Sequence, residues 1–192
     1  MSSLGAVGTQ DEHGAFDYGN FVISHRDTNS ILTIQMGQGC TVTAKPGRAP
    51  KHIFQQYLNS DVLALIGVMV AMSPTITLKG AVKFSMKKLL TGGQMASSTY
   101  TGTGELLLAP NAIGDIKGIS LDGNQMWNIG KDAFLAATEG IVRETKSQGI
   151  GKAFFSGEGL FIYKINGRGV IWVTSFGAIV RKDVRIYSLR YT

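Results

Sequence analysis

The chain copies part of itself. The stretch SGEGLFIYKINGRGVIWVTSFG, Ser156 to Gly177, moved back by 55 positions falls on TGTGELLLAPNAIGDIKGISLD. Gly157 meets Gly102, Gly159 meets Gly104, Phe161 meets Leu106, Gly169 meets Gly114, Ile171 meets Ile116 and Phe176 meets Leu121. Glycines recur at turn positions and apolar residues recur within runs, the mark of a supersecondary unit repeated along a chain. A fainter third copy lies 85 positions upstream, where FVISHRDTNSILTIQM sets Phe21 on Leu106, Ile23 on Leu108, Ile31 on Ile116, Ile34 on Ile119 and Met36 on Leu121. Each copy reads as strand, short loop, strand. Alternation with a period of two, with turn residues such as Asn166-Gly167 between the runs, favours hairpins over helices. The expected fold is therefore all-β: three related hairpin units around one core, as a barrel or a sandwich.

Composition agrees with this reading. In 192 residues there are 25 glycines and 4 prolines, with 44% hydrophobic and 17% charged residues. That is rich enough in apolar side chains to build a core and too rich for wholesale disorder. The single cysteine, Cys40, excludes an internal disulfide framework and any multi-cysteine metal site. The longest apolar run, Val62 to Met72, is far short of the roughly 20 residues a membrane-spanning helix needs. The opening MSSLGAVGTQDEHGAFDYG carries no Lys or Arg and matches neither a signal peptide nor a transit peptide, so residues 1–20 are expected to be a flexible leader. The net charge of +6 comes from scattered cations, with only Lys87-Lys88 and Arg181-Lys182 adjacent. It reads as an ordinary solvated surface, and nucleic-acid binding is not expected.

The repeat also defines what does not belong to it. Beyond KPG, at Gly47, the shift of 85 fails, and it resumes as 65 with VMVAMS (Val68 to Ser73) on AFLAAT (Ala133 to Thr138). The interruption is RAPKHIFQQYLNSDVLALIG, Arg48 to Gly67. It reads either as a loop or short helix inserted at a turn, where insertions are tolerated, or as a translated intron, since excision restores the repeat. The expected organisation is one repeat-built domain over 21–184, interrupted at 48–67, with an atypical tail at 185–192.

No constellation of catalytic residues stands out. Gly102-Thr103-Gly104 and Gly157-Glu158-Gly159 lack the following helix whose N-terminus a phosphate loop requires. Gly102, Gly104, Gly114, Gly157, Gly159 and Gly169 are instead expected to turn or bulge the backbone. His13, His25 and His52 do not have metal-ligand spacing, and Cys40 has no base or cation beside it to make a thiolate. Glu105 and Glu158 read as solvated loop residues rather than an acid–base pair. Trp127, Trp172, Phe161, Tyr163 and Phe176 could stack bases on a β surface, but packing within the sheets is the expectation. FSMKKLLTGG, Phe84 to Gly93, is short; it reads as a connector, with peripheral membrane contact as the competing reading. Neither a cofactor nor a metal is expected.

Several of these stretches, namely MKKLLTGGQM with STYTGTGELLLAP, GKDAFLAAT, GEGLFIYKINGRGVIWVTSFGAI and the early GQGCTVTAKPG, resemble the fungal family named altered inheritance of mitochondria protein 24, which also has bacterial members. The resemblance implies a fold like that of the tryptophan RNA-binding attenuator protein. It implies a non-enzymatic scaffold or assembly factor, mitochondrial in location and linked to inner-membrane and cristae organisation, with protein partners. A cytoplasmic location is the alternative. A chain that stops partway through its third copy would leave a strand edge open, so a homo-oligomer is expected. The competing function is an RNA- or small-molecule-binding module on the same kind of sheet.

Overall fold

The computed structural model describes residues 10–45, 68–80, 97–147 and 161–182. The segment 48–67, the tail at 185–192, the stretch Phe84 to Gly93, and Gly157, Glu158, Gly159 and His52 lie outside these residues. Thirteen strands and one 3-10 turn make the described part almost wholly β.

The strands form two antiparallel sheets that do not close into a barrel. The first sheet runs β1 (Glu12–Phe16), β2 (Gly19–Ser24), β3 (Ile31–Met36), β8 (Gly104–Leu108), β5 (Met69–Met72). Its inner face follows from alternation: GNFVIS buries Phe21 and Ile23, ILTIQM buries Leu32, Ile34 and Met36, and GELLL buries Leu106 and Leu108. Register stacks these into rows across three strands, Phe21 opposite Ile34 opposite Leu106, and Ile23 opposite Leu32 opposite Leu108. Such cross-strand pairs are the unit of sheet stabilisation.

The second sheet is organised around β13 (Phe161–Phe176). Its first half pairs with β10 (Trp127–Gly130) and β12 (Ile141–Ser147), and its second half with β9 (Gly114–Asp122) and β11 (Phe134–Thr138). From β11 the sheet continues through β4 (Thr41–Ala44) and β7 (Ser98–Gly102) to β6 (Ile76–Gly80).

Alternation along β13 sends Val170 and Trp172 into the core between the two sheets, and Tyr163, Ile165 and Ile171 into a second core on the opposite face. Strand β11 is buried along its whole length, as a strand covered on both faces must be. A bulge between Phe134 and Ala136 turns Leu135 and Ala136 to the first core and leaves Phe134 and Ala137 on the second. Trp172 is the largest fully buried side chain and meets the ring edges of Phe16 and Phe21 at 5.8 and 5.3 Å.

The repeat is visible, but its copies are not three hairpins. Only the first copy pairs its own strands, β2 with β3. In the second copy β8 joins the first sheet and β9 the second. In the third copy there is no turn at Asn166-Gly167: both strands merge into β13, whose Gly167 and Gly169 have φ of +100° and +144°. The expected equivalence of buried positions changes accordingly. Leu106, Ile116 and Ile171 are all buried, but Ile116 lies in the first core and Ile171 in the second. The side chain of Phe161 lies outside the description.

A second correction concerns the leader. Residues 12–16 form β1, paired with β2 from Glu12 opposite Ile23 to Phe16 opposite Gly19. The polarity of EHGAF hides this strand, which earns its place through Phe16 against Trp172 and through Glu12, described next.

Candidate functional site

The expected turn glycines fall at strand junctions. Gly102 ends β7 and Gly104 opens β8 on either side of Thr103, with φ of +130° and +138°, a region that favours glycine. A Cβ on Gly104 would run into Ser73, whose hydroxyl accepts the Glu105 N–H. Gly114 begins β9, where its Cα lies against the Ser175 carbonyl, and Gly169 sits inside β13. Cys40 is buried, and burial followed by the charge of Glu139 pushes its thiol pKa up, away from nucleophile chemistry. Glu105 is exposed and accepts a hydrogen bond from Gln35. His13 is exposed on β1, and His25 lies in the turn after β2 with φ of +58°. Among the described residues no group of three His, Cys, Asp or Glu is placed to hold a metal ion. No described helix is long and apolar enough to cross a membrane.

Two polar assemblies went unseen in the sequence. The first closes the outer edge of β9. The N–H of Gly114 donates to Asn29 Oδ1 at 3.2 Å, that of Ile116 to Asp115 Oδ1 at 2.8 Å and that of Gly118 to Glu12 Oε1 at 3.3 Å. Side-chain oxygens thus take the place of a neighbouring strand, which blunts the edge for pairing. The carboxylates are held in turn. Arg26 grips Asp115 with two bonds, Nε to Oδ1 at 3.0 Å and a terminal nitrogen to Oδ2 at 2.7 Å, and Ser30 adds a third at 3.0 Å. Glu12 lies 2.7 Å from Lys117 Nζ and 3.6 Å from Arg26. Two cations balance two anions here, so the group reads as a clasp between β1, the β2–β3 loop and β9. Burial alone would raise the Asp115 pKa, but the hydrogen bonds from Arg26, Ser30 and the Ile116 N–H outweigh it and hold the carboxyl below its usual range.

The second assembly is a cleft of about 440 Å³ between the outer face of β4 and β7 and the first half of β13 with β12. Val42, Ala44, Ser98 and Tyr100 are buried, so alternation turns Thr41, Thr43 and Thr99 outward as a hydroxyl floor, with Thr43 directly opposite Thr99. Along β12 the same rule sets Ile141, Arg143 and Thr145 on one face and Val142, Glu144 and Lys146 on the other. Thr145 pairs with Tyr163 and Arg143 with Ile165, so the inward face of β12 joins the second core.

Arg143 is half-buried. Its guanidinium carbon lies 3.9 Å from the ring centroid of Phe134 and 5.8 Å from that of Tyr163. Stacking satisfies its faces. Among the described residues no protein acceptor or carboxylate meets its N–H groups. Burial lowers its pKa, with the Tyr163 hydroxyl acting the other way, yet an arginine stays charged in proteins. Glu139, at the turn between β11 and β12, is the acidic residue on the rim. IVRETKS gave little signal for Arg143, since its face reads Ile141, Arg143, Thr145 with a single apolar residue.

A third feature is apolar. Phe176 is 87% exposed and lies beside Ile113, through the Gly177 N–H to Ile113 carbonyl bond at 3.4 Å. Between Phe176 and Phe134 opens a mostly apolar cleft of about 420 Å³ that includes Val68, Pro110, Ala133 and Leu135, with Lys45 and Asp132 at its edge. The aromatic residues thus divide. Trp172 and Tyr163 are packed as expected, whereas Trp127 at 40% exposure and Phe176 face outward, against the expectation of packing.

Fold and surface together define an antiparallel two-sheet β protein with a hydroxyl-floored cleft that holds one arginine and one glutamate, and a separate apolar cleft. The chain belongs to the family described as Mitochondrial biogenesis AIM24, matched over residues 55–189. The matched stretch takes in part of the segment 48–67 and part of the tail. An uncharacterized protein of Streptococcus pyogenes serotype M6 is 39% identical over 79 residues, covering 41% of this chain and 32% of that protein. The crystal structure of another Streptococcus pyogenes protein superposes with a TM-score of 0.60 at 22% identity, covering 82% of this chain and 65% of that one. The chain thus spans less than two thirds of either relative. Both are bacterial, where the sequence resemblance had pointed to fungi.

Proposed function

We propose that this chain is a non-enzymatic assembly module that self-associates through its apolar end. The observation that carries this is the pairing of a knob with a hole. Phe176 projects into solvent and also forms one wall of the apolar cleft, so knob and hole are adjacent. A twofold contact brings one patch against its own copy, so knob and hole on a single face are what a closed dimer requires. Exposed contiguous apolar surface of this kind marks interaction sites. The family's name supports a part in mitochondrial biogenesis. In a mitochondrion the paired module would hold protein partners together, and the organisation of the inner membrane and its cristae is the setting in which we place it.

Sedimentation velocity over a wide concentration range tests this. The native chain should form a dimer and Phe176→Ser should return it to monomer with the thermal midpoint unchanged. A native chain that stays monomeric throughout removes the reading.

A second reading, a small-molecule-binding module, is favoured by Arg143, whose N–H groups meet no acceptor among the described residues and which lines the cleft with Thr41, Thr43 and Thr99.

A further inference from the structure

We propose that the cleft over Thr43 and Thr99 binds an oxyanion, a phosphate or carboxylate group of a small molecule, with Arg143 as its principal ligand. The proposal extends the second reading above and is independent of self-association.

The argument rests on how Arg143 is held. A guanidinium is a planar fork of five donors. Here one face lies on Phe134 and the ring of Tyr163 stands close by, so the side chain is fixed in direction. Among the described residues nothing accepts from its donors. A fork already immobilised loses little freedom on binding, and an oxyanion accepts two of its bonds in parallel. Partial withdrawal from water strengthens the attraction relative to an exposed arginine.

The floor fits the same class of ligand. Thr41 and Thr99 present hydroxyls that can donate to oxygen, and among the described residues neither is committed to another acceptor, whereas the Thr43 hydroxyl donates to the Ala137 carbonyl at 3.3 Å. The volume is within the range of small-molecule sites, roughly 300–1,000 Å³. Glu139 on the rim repels an anion, so the oxyanion seats at the Arg143 end. Arg143 is not needed to neutralise a neighbour, in contrast to Arg26, whose donors are spent on Asp115.

The test is titration of the ¹⁵N-labelled full chain with inorganic phosphate, acetate and glycerol 3-phosphate at constant ionic strength, read at the Arg143 Nε–H and at the Thr43 and Thr99 amides. Saturable shifts are expected with at least one anion. Arg143→Gln should weaken binding about tenfold or more, the loss of a charge-assisted hydrogen bond. Arg143→Lys, which keeps the charge but not the fork, should fall between. Glu139→Gln should bind as well as the native chain or more tightly. Thermal midpoints of all variants establish that they are folded.

A parallel arm uses phosphatidylcholine vesicles with and without phosphatidylglycerol. Arg143-dependent binding to the anionic vesicles identifies a lipid headgroup as the source of the oxyanion. Binding of the free anions alone identifies a soluble ligand. Linear, unsaturable shifts with every anion together with no Arg143-dependent vesicle binding overturn the proposal, as does Arg143→Gln binding like the native chain.

Discussion

Replacing Asp115 by Ala should be the most damaging single change outside the apolar cores. The carboxylate receives four hydrogen bonds: two from Arg26, one from Ser30 and one from the Ile116 N–H. The side chains of Arg26 and Asp115 are only 15% and 10% exposed. Removal leaves the guanidinium with Glu12 at 3.6 Å as its remaining anion. It also strands a backbone N–H on the outer edge of β9. Breaking a buried pair by deleting one partner costs about 3–5 kcal/mol. At about 2–4 °C per kcal/mol for a domain of this size, the thermal midpoint should fall by roughly 6–20 °C. Asp115→Asn keeps one oxygen for Ser30, Ile116 and the Arg26 Nε–H but loses the charge and the Oδ2 acceptor of the second Arg26 bond, so it should cost less than Asp115→Ala while remaining destabilising. Differential scanning calorimetry of the two variants beside the native chain is the assay. A fall of less than about 2 °C for Asp115→Ala would show that the clasp contributes little, and the edge-closing argument would fail with it.

The same residue fixes a pH dependence. Its folded pKa lies below the unfolded value, so the unfolded state binds the proton more readily. The stabilisation is fully present above the unfolded carboxylate pKa, near 4, and is lost as pH falls from there through the folded value. Between neutral pH and that window Asp115 adds no slope. Melting scans down to acid pH should show the native chain losing stability more steeply than Asp115→Asn. Parallel curves would mean that the carboxyl does not titrate abnormally.

Ile116→Ala and Leu106→Ala, both at fully buried positions in the first core, should each lower stability by about 2–5 kcal/mol in urea unfolding; a change within about 0.5 kcal/mol would place the side chain on the surface. Gly169→Ala should cost about 1–3 kcal/mol, because φ there is +144° and a Cβ would displace the Thr138 hydroxyl that accepts the Val170 N–H. Gly130→Ala, at φ of −59° with nothing near a new Cβ, should be neutral or stabilising by up to about 1 kcal/mol in the same assay. Trp172→Phe removes a buried indole N–H with no partner among the described residues, so it should cost less than the roughly 3–5 kcal/mol of an aromatic truncation to Ala; an equal loss would show that the indole ring is needed for its volume alone.

The sequence disclosed what depends on neighbours a few residues apart. Repeat register and alternation marked Leu106, Ile116 and Ile171 as equivalent apolar strand positions, because the period of two is a property of each strand alone. They could not say which strand lies beside which. The shift of 55 set Ile116 and Ile171 in one register, yet they serve different cores, since partners at long range decide what a face packs against. Glu12 and Phe16 were hidden for the same reason: EHGAF is polar by composition, and what makes it a strand is Trp172 and Lys117, more than a hundred residues away. Arg143 was not legible, because its strand face, Ile141, Arg143 and Thr145, is not apolar, and what sets this arginine apart is its stacking on Phe134 and Tyr163 from two other strands.

The third copy shows why a repeat need not preserve its own turns. In the second copy APNAI separates β8 from β9, and the proline removes an amide N–H that a central strand would have to donate. The corresponding KINGR of the third copy has no proline. Lys164 and Ile165 pair on both sides, with β10 and with β12, and Asn166 pairs with Val142 of β12. What the turn would have supplied is a change of direction, and Gly167 and Gly169 supply it without breaking the strand, each in a conformation open to glycine. The first half of β13 can therefore leave the plane shared by its second half and lay β12 over the outer face of β4 and β7. That displacement makes the cleft. Arg143 stacks on Phe134 and shares the cleft with the threonine floor because β12 pairs with the first half of a single long β13, so the feature that defeats the hairpin reading also positions the site.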